Sequence, residues 1–234
     1  MNEKERIFGR IREALRTKAP IPGSHDRKSG GLALPRVVSE AEAAKHIPEW
    51  LPAVEETFER RAELFRANAA ELRAEFHLLG DSSEMETLLR TLSLAENWKN
   101  VASHAGELTD KVCAGLGLPC LATDHSYEVR DLEACDVGIS QCDALIAQTG
   151  SVLVSATSAG GRALSVLPPH HVVLARREQL LPDLPSAFAL LKRKYHSNYP
   201  SFISLITGPS RTGDIERILV LGAHGPRKLT IICI

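Results

Sequence analysis

Two short polar stretches between apolar runs carry the groups best suited to hold an anion. The first is Gln148-Thr149-Gly150-Ser151, where two hydroxyls flank a glycine. Backbone N–H groups and hydroxyls gathered at such a loop can cradle an anion. The same residues equally suit a plain β-hairpin whose Gly150 takes a positive φ. The second is Gly208-Pro209-Ser210-Arg211-Thr212-Gly213-Asp214, which follows the apolar run FISLI and adds a guanidinium. Thr212 is spaced to cap a helical turn with Asp214 and Glu216 in it, and a helix start with hydroxyls and Arg211 suits a carboxylate or phosphate. Gly208, Ser210, Arg211 and Thr212 are therefore candidate ligand-binding residues, beside Gln148, Thr149, Gly150 and Ser151. Arg162 follows Gly160-Gly161 and is either a further guanidinium delivered to an anion or an exposed arginine at a helix start. No catalytic residue is fixed by these patterns. Asp214 as a base and His224, in the turn Ala223-His224-Gly225-Pro226, are the candidates for proton transfer.

Other chemistries are excluded. His170 and His171 are adjacent, so on a strand they face opposite sides and cannot readily share a metal. The five cysteines, Cys113, Cys120, Cys135, Cys142 and Cys233, include no CxxC pair. Their spacings match no zinc or cluster pattern, and they read as free thiols in a chain that holds no metal and no cofactor of its own. GxGxxG, GxxxxGK[ST] and HExxH are all missing, which removes independent dinucleotide binding, P-loop hydrolysis and zincin chemistry. A net charge of −1 gives no reason to expect nucleic acid. No apolar run approaches the ~20 residues that span a bilayer. The charged start MNEKERIFGRIREAL lacks a signal-peptide core, so a cytoplasmic location is expected.

The elements that must position these residues follow from periodicity. Ile7, Ile11 and Leu15 mark an N-terminal helix, and the Pro- and Gly-bearing segment 17–35 reads as a linker. This arm, 1–35, docks either on its own domain or on a partner. A helical stripe runs from Ser39 to Leu79 through Val54, Phe58, Phe65, Ala69, Leu72 and Phe76, with Pro52 near its start and Gly80 as its stop. Ser83 and Glu86 have capping-box spacing for the next helix. A short strand begins at Val101, and a helix over Glu107–Leu116 stops at Gly117 and Pro119. From Asp136 onward short apolar runs at 137–139, 144–147, 152–154, 172–175, 202–206, 218–221 and 229–234 predict buried strands, with one helix over 185–195. Residues 36–234 thus form one α/β domain with a mixed, mainly parallel sheet flanked by helices.

Three segments carry a resemblance: DVGISQCDALIAQTGSVLV from Asp136, GGRALSVLPPHHVVL from Gly160, and the C-terminal stretch from Thr207 to Ile234. Together they resemble the lactate-utilisation protein C family (the LutC/YkgG group, with the LUD domain). The resemblance implies a fold like the NagB/RpiA/CoA-transferase group. It also implies a part in bacterial oxidation of L-lactate to pyruvate, beside two iron–sulfur partners, LutA-like and LutB-like, on which the clusters reside. One position departs from the pattern. Gln148 stands where similar proteins often carry an acid, and an amide cannot serve as the carboxylate nucleophile of a CoA transferase. Three readings remain open. They are a non-cluster subunit that binds a carboxylate or its partner proteins, a stand-alone enzyme acting on a phosphosugar or CoA ester, and a non-catalytic assembly scaffold.

Overall fold

The computed structural model describes residues 54–212, 220–222 and 224–234. The expected N-terminal helix and linker, the start of the helical stripe with Pro52, and Asp214 lie outside the described residues. In chain order the described elements are α1 (Phe58–Glu71), β1 (Glu75–Leu78), α2 (Ser82–Ala95), β2 (Val101–Ser103), α3 (Glu107–Leu116), β3 (Cys120–Ala122), α4 (Val129–Glu133), β4 (Val137–Gln141), β5 (Ala144–Ile146), β6 (Ser151–Ser155), β7 (His170–Ala175), β8 (Leu180–Leu181), α5 (Leu184–Tyr195), β9 (Ile203–Ile206), β10 (Arg211–Thr212), β11 (Val220–Leu221) and β12 (Lys228–Cys233).

The helical stripe is two elements rather than one. Helix α1 buries Ala62, Phe65 and Ala69, then stops where Arg73 turns left-handed at φ 62°. Ala74 N–H bonds Ala69 O at 2.8 Å and Arg73 N–H bonds Ala70 O at 2.9 Å, the paired bonds of a Schellman cap built without glycine. Phe76 and Leu79, placed on the helix by spacing, belong instead to strand β1 and its exit. Phe76 still meets Phe65, edge to face with centroids 4.8 Å apart. Helix α2 likewise starts earlier than its capping-box spacing indicated. Its cap is Asp81, which accepts from Ser83 and Glu84 N–H, while Glu84 reaches back to Gly80 N–H at 2.8 Å.

Six strands form an all-parallel sheet in the order β1-β12-β7-β4-β2-β3. Four more form a smaller mixed sheet in the order β8-β5-β6-β9, with β5-β6 and β6-β9 antiparallel. Alternation along the strands sorts the cores. Val172, Leu174 and Ile232 face α2 and α3 through Met85, Leu89, Leu108 and Val112. Val173, Ala175, Leu229 and Ile231 face the other way, where they meet α1 and the small sheet's Leu145, Val152 and Val154. Helix α5 covers the small sheet's far face through Ala187 and Leu191. No helix among the described residues is long and apolar enough to cross a membrane.

Candidate functional site

The order of the six-stranded sheet reverses between β2 and β4, and open parallel sheets take ligands outside the carboxyl ends of strands at such a point. Beyond β2 lies His104, 5% exposed, with Nδ1 2.9 Å from Ala105 O and Nε2 accepting from Gln141 N–H at 3.1 Å. Both ring nitrogens are thus committed, and burial pushes the imidazole below its ordinary range, so it stays neutral. The loop after β6 lies across this position. Gly160 has φ 61°, and a Cβ there would come within 2.3 Å of His104 Cβ. The approach requires glycine on both counts. Thr123 Oγ1 fastens the loop by donating to Gly160 O at 2.9 Å.

Beyond β4 the chain passes from the large sheet into the small one through Cys142 and Asp143. Asp143 N–H already bonds Leu153 O across the small sheet, at 2.8 Å. Its side chain is fully buried and accepts from Lys194 Nζ at 2.5 Å, Tyr195 OH at 2.9 Å and Ser158 Oγ at 2.9 Å. Ser155 Oγ completes the cluster 2.8 Å from Tyr195 OH. Burial pushes the Asp143 carboxyl up, but the bonds from Lys194, Ser155, Tyr195 and Ser158 outweigh it and hold the group below the usual carboxylate range. Burial lowers Lys194 in turn, and its carboxylate partner more than restores it. The result is an ion pair with one end sealed in the fold and the other, Lys194, 42% exposed.

Arg162 belongs to this neighbourhood. Its guanidinium lies over the Phe202 ring at 5.8 Å, and Phe202 O accepts from Ala156 N–H, the residue after Ser155. The other sequence candidates sit elsewhere. Gln148, Thr149 and Gly150 form the loop of the β5–β6 hairpin, with Gly150 at φ 64°. That loop is pressed onto α1: Asn68 Nδ2 donates to Ala147 O and Gln148 O, and a Cβ on Gly150 would lie 2.9 Å from Ala69 N. Ala147 and Gln148 spend their N–H groups on Leu181 O and Pro182 O. Thr149 Oγ1 is buried with no hydrogen-bond partner among the described residues, while Ser151 Oγ pairs with Thr207 Oγ1 at 2.9 Å.

Gly208 packs on α1 with φ 88°, where a Cβ would come within 2.7 Å of Leu72 O. Ser210 N–H bonds Pro226 O and Ser210 O accepts from Gly222 N–H. Arg211 and Thr212 are strand residues paired with Leu221 and Val220, so Thr212 lies in a strand where spacing had suggested a helix cap. Arg211 and His224 are exposed. The structure therefore sets Arg162 against Phe202, beside the end of β6 that carries Ser155, and leaves the hairpin loop and the 208–212 stretch on α1's side of the small sheet. Sequence reading missed Asp143, Lys194, Tyr195, Ser155 and Ser158. The one available signal was Asp143 itself, an acid set between two apolar strand runs that needs a partner. The two histidines of β7 do diverge: His170 faces Glu96 and Thr230, and His171 faces Ser140. Among the described residues no group of three or more His, Cys, Asp or Glu is arranged to hold a metal ion.

A family model described as the LUD domain matches residues 34–234. A lactate utilization protein C from Macrococcus caseolyticus is 36% identical over 159 residues, covering 64% of this chain and 67% of that protein. Proteins of the same name from Anoxybacillus flavithermus and Halalkalibacterium halodurans are 34% and 33% identical, and the chain spans about half the length of each. Among solved structures, a DUF162-family protein from Deinococcus radiodurans has the same fold, with TM-score 0.60 at 18% identity, covering 76% of this chain and 99% of that one.

Proposed function

This chain belongs to the LUD-domain family, and from that premise we propose that it serves lactate utilisation as a non-cluster subunit of a system that oxidises L-lactate to pyruvate. The observation that carries the reading is the 36% identity, over 159 residues, to a protein named lactate utilization protein C. The chemistry divides between proteins. Oxidation of lactate at C2 needs an electron acceptor. In this proposal the LutA-like and LutB-like partners carry the electrons on their iron–sulfur clusters, and this chain holds the carboxylate common to substrate and product.

The junction at Asp143 supports that division. An ammonium has three donors, and Lys194 keeps donors beyond the one given to Asp143. The ion pair is neutral as a unit, so the net positive charge comes from Arg162, whose planar fork suits a carboxylate. Asp143, Tyr195 and the two serines fix the ammonium in place before the ligand arrives, which lowers the cost of ordering it on binding.

The test is anaerobic co-expression of this chain with the LutA-like and LutB-like proteins, followed by lactate-dependent dye reduction with and without it. The rate is expected to fall to background when the chain is omitted. Arg162→Ala is expected to lower it strongly and Arg211→Ala to leave it near wild type. The reverse ranking moves the carboxylate to the 208–212 stretch. Full-rate oxidation by the partners alone overturns the proposal.

A further inference from the structure

Away from the junction, the fold brings together two thiols that lie seven residues apart in the chain. Cys113, on α3, and Cys120, the first residue of β3, have Sγ atoms 3.4 Å apart. The connection between them is tightly held. Gly117 ends α3 at φ 64° with its N–H on Cys113 O at 3.2 Å, and Pro119 O accepts from Val101 N–H at 2.9 Å, which sets β3 beside β2. A cavity of about 140 Å³ opens against both sulfurs, lined also by Ser103, His104, Asp110 and His125. Cys120 is exposed and Cys113 half-buried, whereas Cys135, Cys142 and Cys233 are buried.

We propose that Cys113 and Cys120 form a redox-active dithiol that hydrogen peroxide converts to an intramolecular disulfide, with Cys113 as the attacking sulfur and Cys120 as the resolving one. The sulfurs need to close from 3.4 Å to a bond of about 2.05 Å, a small movement for two side chains on opposite sides of a short turn. The roles follow from the hydrogen bond. Cys120 donates to Cys113, which draws Cys113 down to about 7 and pushes Cys120 up, so the thiolate near neutral pH is Cys113. Ser103 also stabilises that thiolate, while burial and Asp110 oppose it. Cys135 and Asp110 add to the upward push on Cys120.

The steps balance. The Cys113 thiolate attacks one peroxide oxygen, the O–O bond breaks, and hydroxide leaves with the second oxygen, giving a sulfenic acid on Cys113. Once Cys113 is no longer an anion, the proton on Cys120 is no longer held there. Cys120 then loses it, attacks the Cys113 sulfur and expels the sulfenic oxygen as water. Peroxide takes up two electrons and the thiol pair gives up two. The cavity admits a small oxidant, and the three buried thiols stay out of the reaction because burial pushes each of them up.

A single tryptic peptide, Val112 to Arg130, contains both cysteines and no other. The reduced full-length protein is treated with peroxide at neutral pH, alkylated and digested. The proposal expects that peptide to lose both alkyl groups and to be lighter by two hydrogens. Cys120→Ser is expected to accumulate a dimedone-reactive sulfenic acid at Cys113. Cys113→Ser is expected to leave Cys120 fully alkylatable at the same peroxide dose. A wild-type peptide still alkylated at both positions, or a Cys113→Ser protein whose Cys120 oxidises as fast as wild type, overturns the proposal.

Discussion

The two sheets bury polar groups in different ways. In the six-stranded sheet they lie along the strands: His171 Nε2 meets Ser140 Oγ at 2.8 Å, and His170 sits between Glu96 and Thr230 at 2.9 Å from each. The two histidines are themselves buried between parallel neighbours on both sides, and Glu96, beyond the strand, is shared between His170 and the exposed Lys228. In the four-stranded sheet the polar groups gather where strands begin and end, at Asp143 before β5, Ser155 at the end of β6 and Lys194-Tyr195 at the end of α5. That cluster buries a carboxylate and leaves its ammonium partner partly in solvent. Polar residues inside strands here serve packing and register, while those at strand ends supply the groups a ligand can meet.

The sharpest way to break this comparison is to remove the exposed half of the ion pair. Lys194→Met leaves the Asp143 carboxylate fully buried with only hydroxyl partners. A loss of about 3 kcal/mol is expected, at the low end for breaking a buried pair because the ammonium is 42% exposed and solvent-screened. Chemical denaturation measures it. Asp143→Asn combined with Lys194→Met removes both charges and should recover part of the loss. A double variant no more stable than Lys194→Met alone would mean that shape, and not charge, holds the cluster together.

Acid separates the two regions without mutation. Burial pushes His171 down to about 3, so it stays neutral when folded while the unfolded chain takes up a proton near 6.5. The unfolded state binds more protons throughout that window, so stability falls as pH drops, by about 2 kcal/mol between pH 7 and pH 5 from this residue alone. Burial shifts His170 the same way and adds to the trend. Asp143 behaves differently. Its folded carboxyl is held below the usual range, so its contribution persists at pH 5 and is lost only below about 4. Urea denaturation at pH 7 and pH 5 should therefore report the large sheet. His171→Gln, which keeps a donor toward Ser140, is expected to flatten the dependence; an unchanged slope would assign it elsewhere.

The contrast also explains what was legible in the sequence. Buried strands announce themselves as apolar runs, and those at β4, β5, β6, β7 and β12 appear where the runs lie, whereas the run at 202–206 forms β9, a half-buried edge strand with Leu205 exposed. Helix α3 is bounded as its spacing indicates, because Gly117 provides the left-handed stop. Strand β1 was hidden because Phe76 continues the apolar spacing of α1 and the intervening turn is made by Arg73, a residue that carries no turn signature. The Asp143 cluster was hidden for another reason. Its members come from the β4–β5 link, β6 and its loop, and α5, and only tertiary pairing unites them. Cys113 and Cys120 read as separate free thiols because a seven-residue spacing suggests no pair until helix α3 and the start of β3 are known to face each other.

The smallest expected change in stability tests the comparison most directly in functional terms. Arg162 is exposed, and what it contributes to the fold is a guanidinium 5.8 Å from the centre of the Phe202 ring. An exposed contact of this kind is worth about 0.5–1 kcal/mol, so Arg162→Ala should cost less than about 1 kcal/mol by denaturation. Its backbone carbonyl still accepts from Ser165 Oγ in the variant, which keeps the loop's local anchor. If strand-end groups exist for a ligand, this nearly silent change should nonetheless lower lactate-dependent dye reduction in the reconstituted system, and Arg162→Lys should restore part of the rate by returning the charge without the fork. A variant that loses stability and rate in proportion would make Arg162 one more packing residue, and the distinction between the two sheets would then rest on the Asp143–Lys194 pair alone.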